Sequence, residues 1–192
     1  AYEHTGTSGE LLAIQNQLFG VSRRGPRVCT QFNRYLRQAQ MNKTNYDALM
    51  SEELRFLQGE KKLLLHSCCA PCSSYCVSEL RDKTKLDVFY YNPNIDTEAE
   101  YQKRLAEEIR FIKEFAPEIR VFEVGYDKDE YLRRVIGKEN CPEGGARCEI
   151  CFRLRLEKTA EFAKNHGYDC FATTLTVSPL KNAEKINRIG EE

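Results

Sequence analysis

Cysteine is concentrated at two separated points of this chain, and this clustering constrains the fold and the chemistry more than any other feature. The stretch HSCCAPCSSYC, residues 66–76, directly follows the apolar run 63–65 and contains four cysteines: Cys68, Cys69, Cys72 and Cys76. A second group lies much later, at Cys141, Cys148 and Cys151. Clustered thiols are more often metal ligands or redox catalysts than parts of a disulfide framework, which usually spreads an even number of cysteines along the chain.

Length and composition limit the class of protein. A chain of 192 residues, 41% hydrophobic and 30% charged, is long enough for one domain with a sizeable core. Charges interrupt every apolar run before it reaches the ~20 residues of a membrane helix. The first residues also lack the basic start and apolar core of a secretory signal. We therefore expect no membrane association and a reducing, cytoplasmic location.

The formal net charge is zero, which argues against binding of a polyanion by the overall field of the protein. Basic residues are nevertheless concentrated near the start, where residues 1–46 contain six Arg or Lys against two Glu: Arg23, Arg24, Arg27, Arg34, Arg37 and Lys43 against Glu3 and Glu10. We expect residues 1–44 to form a flexible, solvated arm, with an accessory nucleic-acid contact as the alternative. Residues 45–192 are expected to form the metal-binding catalytic domain.

Strand and helix patterns alternate from residue 61 onward. Short runs rich in apolar, β-branched and aromatic residues predict strands at 61–67, 85–94, 119–126 and 168–178. Apolar residues at helical spacing predict helices at 45–59, 72–83, 97–116, 127–137, 149–167 and 181–192, with Thr97 as an N-cap and Gly167 as a C-cap. This alternation indicates an α/β fold, in which a parallel sheet carries helices on both faces.

Ligands of such folds lie beyond the carboxyl ends of the strands. The segment 66–69 lies at one predicted strand end, and TTLTVSPLKN, residues 173–182, lies at another. The loop CCAPCSS after the first strand lacks the glycines that let backbone amides approach a phosphate, so ATP binding is disfavoured.

The two cysteine groups predict a shared thiol site. Cys148 and Cys151 are three residues apart at the start of a helix, so their sulfurs share one helix face. Together with Cys68 and Cys69 they make four thiolates, which is the ligand set of a structural zinc or an iron–sulfur cluster. Adjacent cysteines are unusual for structural zinc, which favours iron–sulfur. The alternative is a set of buried free thiols with one redox pair.

The remaining candidates are expected to be structural. Cys170 lies inside the fourth predicted strand as a small core residue, and Cys76 is expected to be a packed thiol. His66 is expected to be a strand-end structural residue and only secondarily a site residue. We assign no role to Cys29 or Cys141.

Several longer motifs resemble the QueH-type epoxyqueuosine reductases, in the same order and from about Asn45 to the end. They are LLLHSCCAPCSSY, FYYNPNI, EYQKRL, PEGGARCEICFRLRLEKTAEFA and TTLTVSPLKNAEKINRIGEE. The resemblance implies a HUP-like α/β fold and an oxidoreductase of tRNA processing that performs the last step of queuosine biosynthesis. It also implies a [4Fe-4S] cluster with an additional mononuclear iron, no cobalamin, and a substrate tRNA carrying epoxyqueuosine. The electron donor is not implied.

The resemblance also implies site residues. Cys68, Cys69, Cys148 and Cys151 match the cluster cysteines, and Cys72 matches a position suited to binding the additional iron as a catalytic ligand. Substrate-binding positions are matched by the strand-end motif and the Gly-rich loop: Thr173, Thr174, Ser178, Lys181, Asn182 and Arg147, with Glu143, Gly144 and Gly145 in the same loop as Arg147. Apart from the resemblance, five cations are candidate phosphate contacts: Lys181, Lys185, Arg188, Arg153 and Arg155. The alternative for each is a solvated helix face, which we expect for about half of them.

Family members continue beyond this point with a further strand and a cysteine-bearing segment, so we expect the chain to be C-terminally incomplete relative to the family. Two other functions compete with the reductase. One is a structural zinc protein that binds RNA without catalysis. The other is a dithiol oxidoreductase that uses Cys148 and Cys151 without metal, although it leaves Cys68 and Cys69 unexplained.

Overall fold

A computed structural model describes residues 44–57 and 61–192, and these residues form a parallel sheet between two layers of helices. The strands are β1 (Lys62–Ser67), β2 (Lys85–Tyr90), β3 (Val121–Glu123) and β4 (Cys170–Thr173). The helices are α1 (Tyr46–Leu57), α2 (Ala70–Leu80), α3 (Glu98–Phe115), α4 (Lys128–Arg134), α5 (Ala146–Asn165) and α6 (Ala183–Glu191), with a 3₁₀ turn at Thr174–Val177. The predicted α/β class with a parallel sheet is confirmed.

The strand order β3-β2-β1-β4 puts the first strand in the middle of the sheet. Both neighbours of β1 are parallel to it, and His66 pairs in register with Phe89 on one side and Thr173 on the other. The chain winds outward from β1 through β2 to β3 and then returns to add β4 on the opposite side. The crevice beyond β1 and β4 is therefore the switch point where open α/β sheets bind ligands.

Each face of the sheet has its own apolar core, because β1 is buried on both sides. Leu63 and Leu65 pack with α1, α2 and α3, whereas Leu64 packs with α5 and α6. All three leucines are buried, which is the pattern of a central parallel strand and not of a half-exposed one. The prediction of helices on both faces is confirmed.

Local signals explain where several helices begin and end. The Thr97 hydroxyl accepts a hydrogen bond from the Glu100 N–H at 3.3 Å, as expected of an N-cap residue. Gly167 follows the end of α5 with a φ of 69°, a left-handed conformation that favours glycine. Both predictions made from the sequence are confirmed.

The fourth strand is shorter than predicted, so the predicted length is wrong. It ends at Thr173, and residues 174–177 turn into the 3₁₀ helix because the Thr173 hydroxyl caps that turn by accepting from the Leu175 N–H at 3.1 Å. As predicted, Pro71 lies in the first turn of α2, which begins at Ala70. The turn at 174–177 lies at the carboxyl edge of the sheet, where the thiols lie.

The predicted N-terminal arm, residues 1–44, falls almost entirely outside the described residues, so its character stays a prediction. Within the described ranges, no helix combines the length and the apolar character needed to cross a bilayer.

Candidate metal centre

Three of the predicted thiols converge just beyond β1. The sulfurs of Cys68, Cys69 and Cys72 all lie within 4.8 Å of one another, and those of Cys68 and Cys69 are 3.8 Å apart. The backbone brings them together because the chain turns sharply from β1 into α2, so that Cys69 becomes the N-cap of that helix. Two sulfurs bound tetrahedrally to one ion at about 2.3 Å would themselves lie about 3.8 Å apart. The observed spacing therefore suits a shared metal ion.

The three thiols do not ionise alike. Hydrogen bonds from the Cys69 and Cys72 thiols hold the pKa of Cys68 well below its usual range, assisted by the charge of Arg155 and the Thr174 hydroxyl. The same hydrogen bonds to Cys68 raise the pKa of Cys72 and are the main cause of the raised pKa of Cys69. Cys68 therefore loses its proton more readily than Cys69 and Cys72, and a bound metal would displace the remaining protons.

Two threonines at the end of β4 fix the first thiol and a histidine. The Cys68 N–H donates to the Thr174 hydroxyl at 3.0 Å, and that hydroxyl lies 3.3 Å from the Cys68 sulfur. The Thr173 hydroxyl lies 2.9 Å from Nδ1 of His66. Both threonines are fully buried. These contacts give Thr173 and Thr174 a positioning role, while their predicted substrate contact stays a prediction.

His66 is a buried structural residue of this edge. Its Nε2 lies 3.1 Å from the Tyr91 carbonyl oxygen and 3.4 Å from Arg155 Nε, and its Nδ1 faces the Thr173 hydroxyl. Burial, together with the charge of Arg155, lowers the pKa of His66 to about 3, so the ring is neutral at physiological pH. This arrangement agrees with the expected structural role.

The second thiol pair lies in the first two turns of α5. The Gly144 N–H donates to the Cys148 sulfur at 3.2 Å, and Cys151 is buried one turn further along. Both line a cavity of about 420 Å³ formed mainly by α4, α5 and the start of α6. Neither belongs to the group of sulfurs that lie within 4.8 Å of one another, so the structure brings together three of the five predicted ligands at that spacing.

Arg155 connects the two thiol groups. It lies on α5 four residues after Cys151, lines the same cavity and is only 3% exposed. Its guanidinium donates to Oδ1 of Asn92, whose side-chain amide donates to the Ser67 carbonyl oxygen at 2.9 Å. Its positive charge also lowers the pKa of Cys68. Arg155 is therefore a buried cation of the cavity wall and not part of a solvated helix face, and its role as a phosphate contact stays a prediction.

The other predicted cations divide between the cavity and ion pairs. Arg147, Lys181 and Lys185 line the cavity, together with Asn182, which caps α6 by accepting from the Lys185 N–H at 2.8 Å. Arg153 pairs with Glu192 at 2.6 Å, and both Lys185 and Arg188 pair with Glu149. Ser178 ends the 3₁₀ turn, and its carbonyl oxygen accepts from the Lys181 N–H.

The cysteines expected to be structural are confirmed as such where the structure describes them. Cys76 and Cys170 belong to the core packed against α1, α2 and α3, and burial raises the pKa of Cys170 to about 12. Cys141 is partly exposed, and the eight cysteines of the described residues all carry free thiols.

Asn92 and Glu108 were not predicted from the sequence as polar residues of this region, and Arg155 was not predicted to be buried. Cys148, Cys151 and Arg155 share one face of α5, a spacing that could have revealed Arg155. Glu108 falls within the buried stripe of α3 that contains Tyr101, Leu105 and Ile112, and a charge at such a position is a signal in itself.

The donor set fits a metal centre built on sulfur. Soft thiolates select zinc, copper(I) or iron–sulfur clusters over hard cations such as magnesium. The triad of Cys68, Cys69 and Cys72 supplies three such donors, and Cys148 and Cys151 supply two more at the start of α5.

Comparison with known proteins identifies a family whose sequence profile this chain matches. Its sequence profile, described as "Epoxyqueuosine reductase QueH", matches residues 63–192. Proteins of that name from Streptococcus pyogenes, Staphylococcus epidermidis and Haemophilus influenzae are 40%, 36% and 39% identical, over 77%, 82% and 80% of this chain. The aligned parts cover 61%, 70% and 62% of those relatives, so the chain spans about two thirds of their length.

Proposed function

Because the chain belongs to the QueH family of epoxyqueuosine reductases, we propose that it reduces epoxyqueuosine to queuosine at the wobble position of tRNA. The reaction removes the epoxide oxygen with two electrons and two protons. The observation that carries the proposal is the thiol triad within 4.8 Å, placed at the switch point of the sheet. A cytoplasmic location and an external electron donor belong to the same proposal.

We assign the metal ligands from the resemblance of these cysteines to the family's motifs. Cys68, Cys69, Cys148 and Cys151 would hold a [4Fe-4S] cluster, and Cys72 would hold an additional iron. When bound, such a centre supplies electrons one at a time and a Lewis acid for an oxygen atom. The chain supplies the rest: Thr174 and Arg155 stabilise the Cys68 thiolate, and Arg147 and Lys181 offer positive charge to an anionic substrate in the cavity.

The cavity supports a nucleotide substrate. Its volume of about 420 Å³ and its mixture of cations with Tyr131 and Phe152 suit a base removed from its stack. Recognition by stacking and phosphate contacts is the usual mode for single-stranded RNA, so an anticodon loop would have to present the base splayed out.

A structural zinc site is the second candidate, because the 3.8 Å separation of the Cys68 and Cys69 sulfurs equals that of two ligands on one tetrahedral ion. In that case the chain would bind RNA without catalysis. The two candidates differ in colour and in redox behaviour.

The first test is metal analysis of the full chain after anaerobic purification. We expect at least the four irons of one [4Fe-4S] cluster per chain, acid-labile sulfide, and a visible absorption band that bleaches with dithionite. The purified protein should then convert tRNA carrying epoxyqueuosine to the queuosine form. One zinc without sulfide, and no conversion, would contradict the reductase and favour the structural site.

Matched variants identify the ligands. Cys69→Ser should lose most of the iron and the visible band, because it removes a sulfur from the centre of the triad. Cys141→Ser serves as the control and should keep both, since this thiol lies outside that triad. Equal iron contents in the two variants would refute the assignment of Cys69.

A further inference from the structure

A carboxyl group is buried behind the thiol triad without an evident structural use. Glu108 lies on α3, and its side chain is 0% exposed. Neither of its oxygens makes a hydrogen bond of ordinary geometry among the described residues, although the nearby hydroxyls of Ser73 and Ser67 still lower its pKa. A buried carboxyl that lacks firm partners costs free energy, so its presence needs an explanation.

A pair of serine hydroxyls lies between this carboxyl and the thiols. The Ser67 and Ser73 oxygens are 2.6 Å apart, and Ser73 also donates to the Cys69 carbonyl oxygen at 3.2 Å. Ser67 is the last residue of β1 and precedes Cys68, whereas Ser73 follows Cys72. Both hydroxyls are fully buried. They lie close enough to Glu108 to lower its pKa, and they belong to the two segments that carry the triad.

The surroundings raise the pKa of Glu108, so that a large fraction of this carboxyl carries a proton at neutral pH. Burial is the main cause that raises its pKa to about 7. The negative charge of Cys68 also raises the pKa, whereas the hydroxyls of the two serines lower it. The other titratable groups that face it are Cys76 on α2 and Tyr90 on β2, and both are neutral at this pH because burial raises the pKa of each. Arg104, one turn earlier on α3, is paired with Glu100 at 2.6 Å.

We propose that Glu108 is the proton donor to the thiol-lined site, acting through the hydroxyls of Ser67 and Ser73. This inference rests on the proposed function. Both carbon–oxygen bonds of the epoxide break, two electrons enter from a one-electron reductant, and the oxygen leaves as water with two protons. Glu108 gives one proton and becomes a carboxylate, the second comes from solvent, and the carboxylate is reprotonated between turnovers.

The kinetic test compares Glu108→Gln with the wild type in single-turnover reduction of the tRNA, with dithionite as the electron source. We expect a loss of about a hundredfold in rate, in the range typical of a general acid. The wild-type rate should fall as the pH rises past about 7, whereas the variant should lack this dependence. Glu114→Gln, on the same helix with a 64% exposed side chain, is the control and should match the wild type.

A second readout does not depend on turnover. Infrared spectra of protein labelled with ¹³C-glutamate should contain a protonated-carboxyl band that disappears above about pH 7 and is absent from Glu108→Gln. Ser73→Ala should retain this band but slow the reduction, because it interrupts the hydroxyl pair. Iron and sulfide contents should equal those of the wild type in both variants.

The outcomes separate the two proposals. A wild type that forms no product, with its iron and sulfide in place, overturns the proposed function and with it the proton-donor role. An active wild type matched by Glu108→Gln in rate and pH profile overturns only the role of Glu108. A Ser73→Ala variant as fast as the wild type overturns the serine route.

Discussion

At the residue scale, Asp87 on β2 shows how one carboxylate holds the far end of the sheet together. Its Oδ1 accepts from the Arg120 N–H and Nε, and its Oδ2 accepts from Arg120 Nη2 at 2.6 Å and from the Tyr168 hydroxyl at 2.7 Å. Arg120 precedes β3 and Tyr168 precedes β4. Asp87 therefore joins segments that enter strands on both sides of the sheet.

Replacing this residue should destabilise the fold. Burial alone would raise the pKa of Asp87, but the hydrogen bonds from Arg120 and Tyr168 lower it below its ordinary value. We expect Asp87→Asn to lose about 1.5–3 kcal/mol of unfolding free energy at neutral pH in urea denaturation, the usual range for a hydrogen bond to a charged group. Asp82→Asn, with an 87% exposed side chain, should change little.

The effect should depend on pH with a definite sign. A depressed carboxyl pKa contributes stability above the unfolded value of about 4 and loses it as the pH falls through the folded value. The difference between the wild type and Asp87→Asn should therefore shrink in acid. A difference that grows below pH 4 would contradict this account.

At the element scale, the start of α5 decides where the second thiol pair lies. Gly144 has a φ of 77°, and Gly145 caps the helix with its N–H donating to the Pro142 carbonyl oxygen at 3.0 Å. A Cβ on Gly145 would lie 2.9 Å from that same oxygen. Because this oxygen belongs to the backbone, moving it away would cost free energy. The loop before α5 thus requires glycine for a close approach.

A Gly145→Ala variant should shift this loop and with it Cys148 and Cys151. We expect a loss of about 1–3 kcal/mol in stability, as for other overpacked sites, and a lower iron content after reconstitution. Lys138→Ala, which replaces an exposed residue of the same loop, is the control. Wild-type stability and iron content in Gly145→Ala would show that the helix start tolerates the added methyl group.

At the scale of the whole molecule, positive charge is local although the net charge is zero. The cavity lined by α4 and α5 gathers Arg147, Lys181 and Lys185 beside three acidic residues, Asp96, Glu139 and Glu143, and Lys185 pairs with Glu149. Other basic residues lie in helix-surface ion pairs, such as Arg110 with Glu107 and Glu114. Under the proposed function, we expect a polyanion to bind at this cavity and not over the whole surface.

Salt dependence of tRNA binding tests this arrangement. Lys181→Ala and Arg147→Ala should each weaken binding and reduce the slope of log K against log salt by about 0.7–0.9, the value for one lost phosphate contact. Lys113→Ala, in the last turn of α3, should leave the slope unchanged. Equal slopes in all three variants would refute the cavity as the RNA-binding edge.

The sequence by itself determined the α/β class, the central buried strand, most helix bounds and the two cysteine groups. These properties are local: apolar periodicity, N-caps, glycine at a helix end and cysteine spacing are each encoded within a few residues. The resemblance carried by the longer motifs added the family. The length of the fourth strand was predicted wrongly because the turn at Thr173 depends on its own hydroxyl, which also contacts His66 on the neighbouring strand.

Only the tertiary structure decided which polar residues face one another. Arg155 lies 87 residues from Cys68 along the chain, and its helical context predicts an exposed cation, yet packing of α5 on the sheet buries it beside Asn92. Glu108 becomes a buried carboxyl near neutral pKa only because α3 and α2 close over the end of β1. Charge and protonation depend on burial and on distant neighbours, which no local pattern specifies.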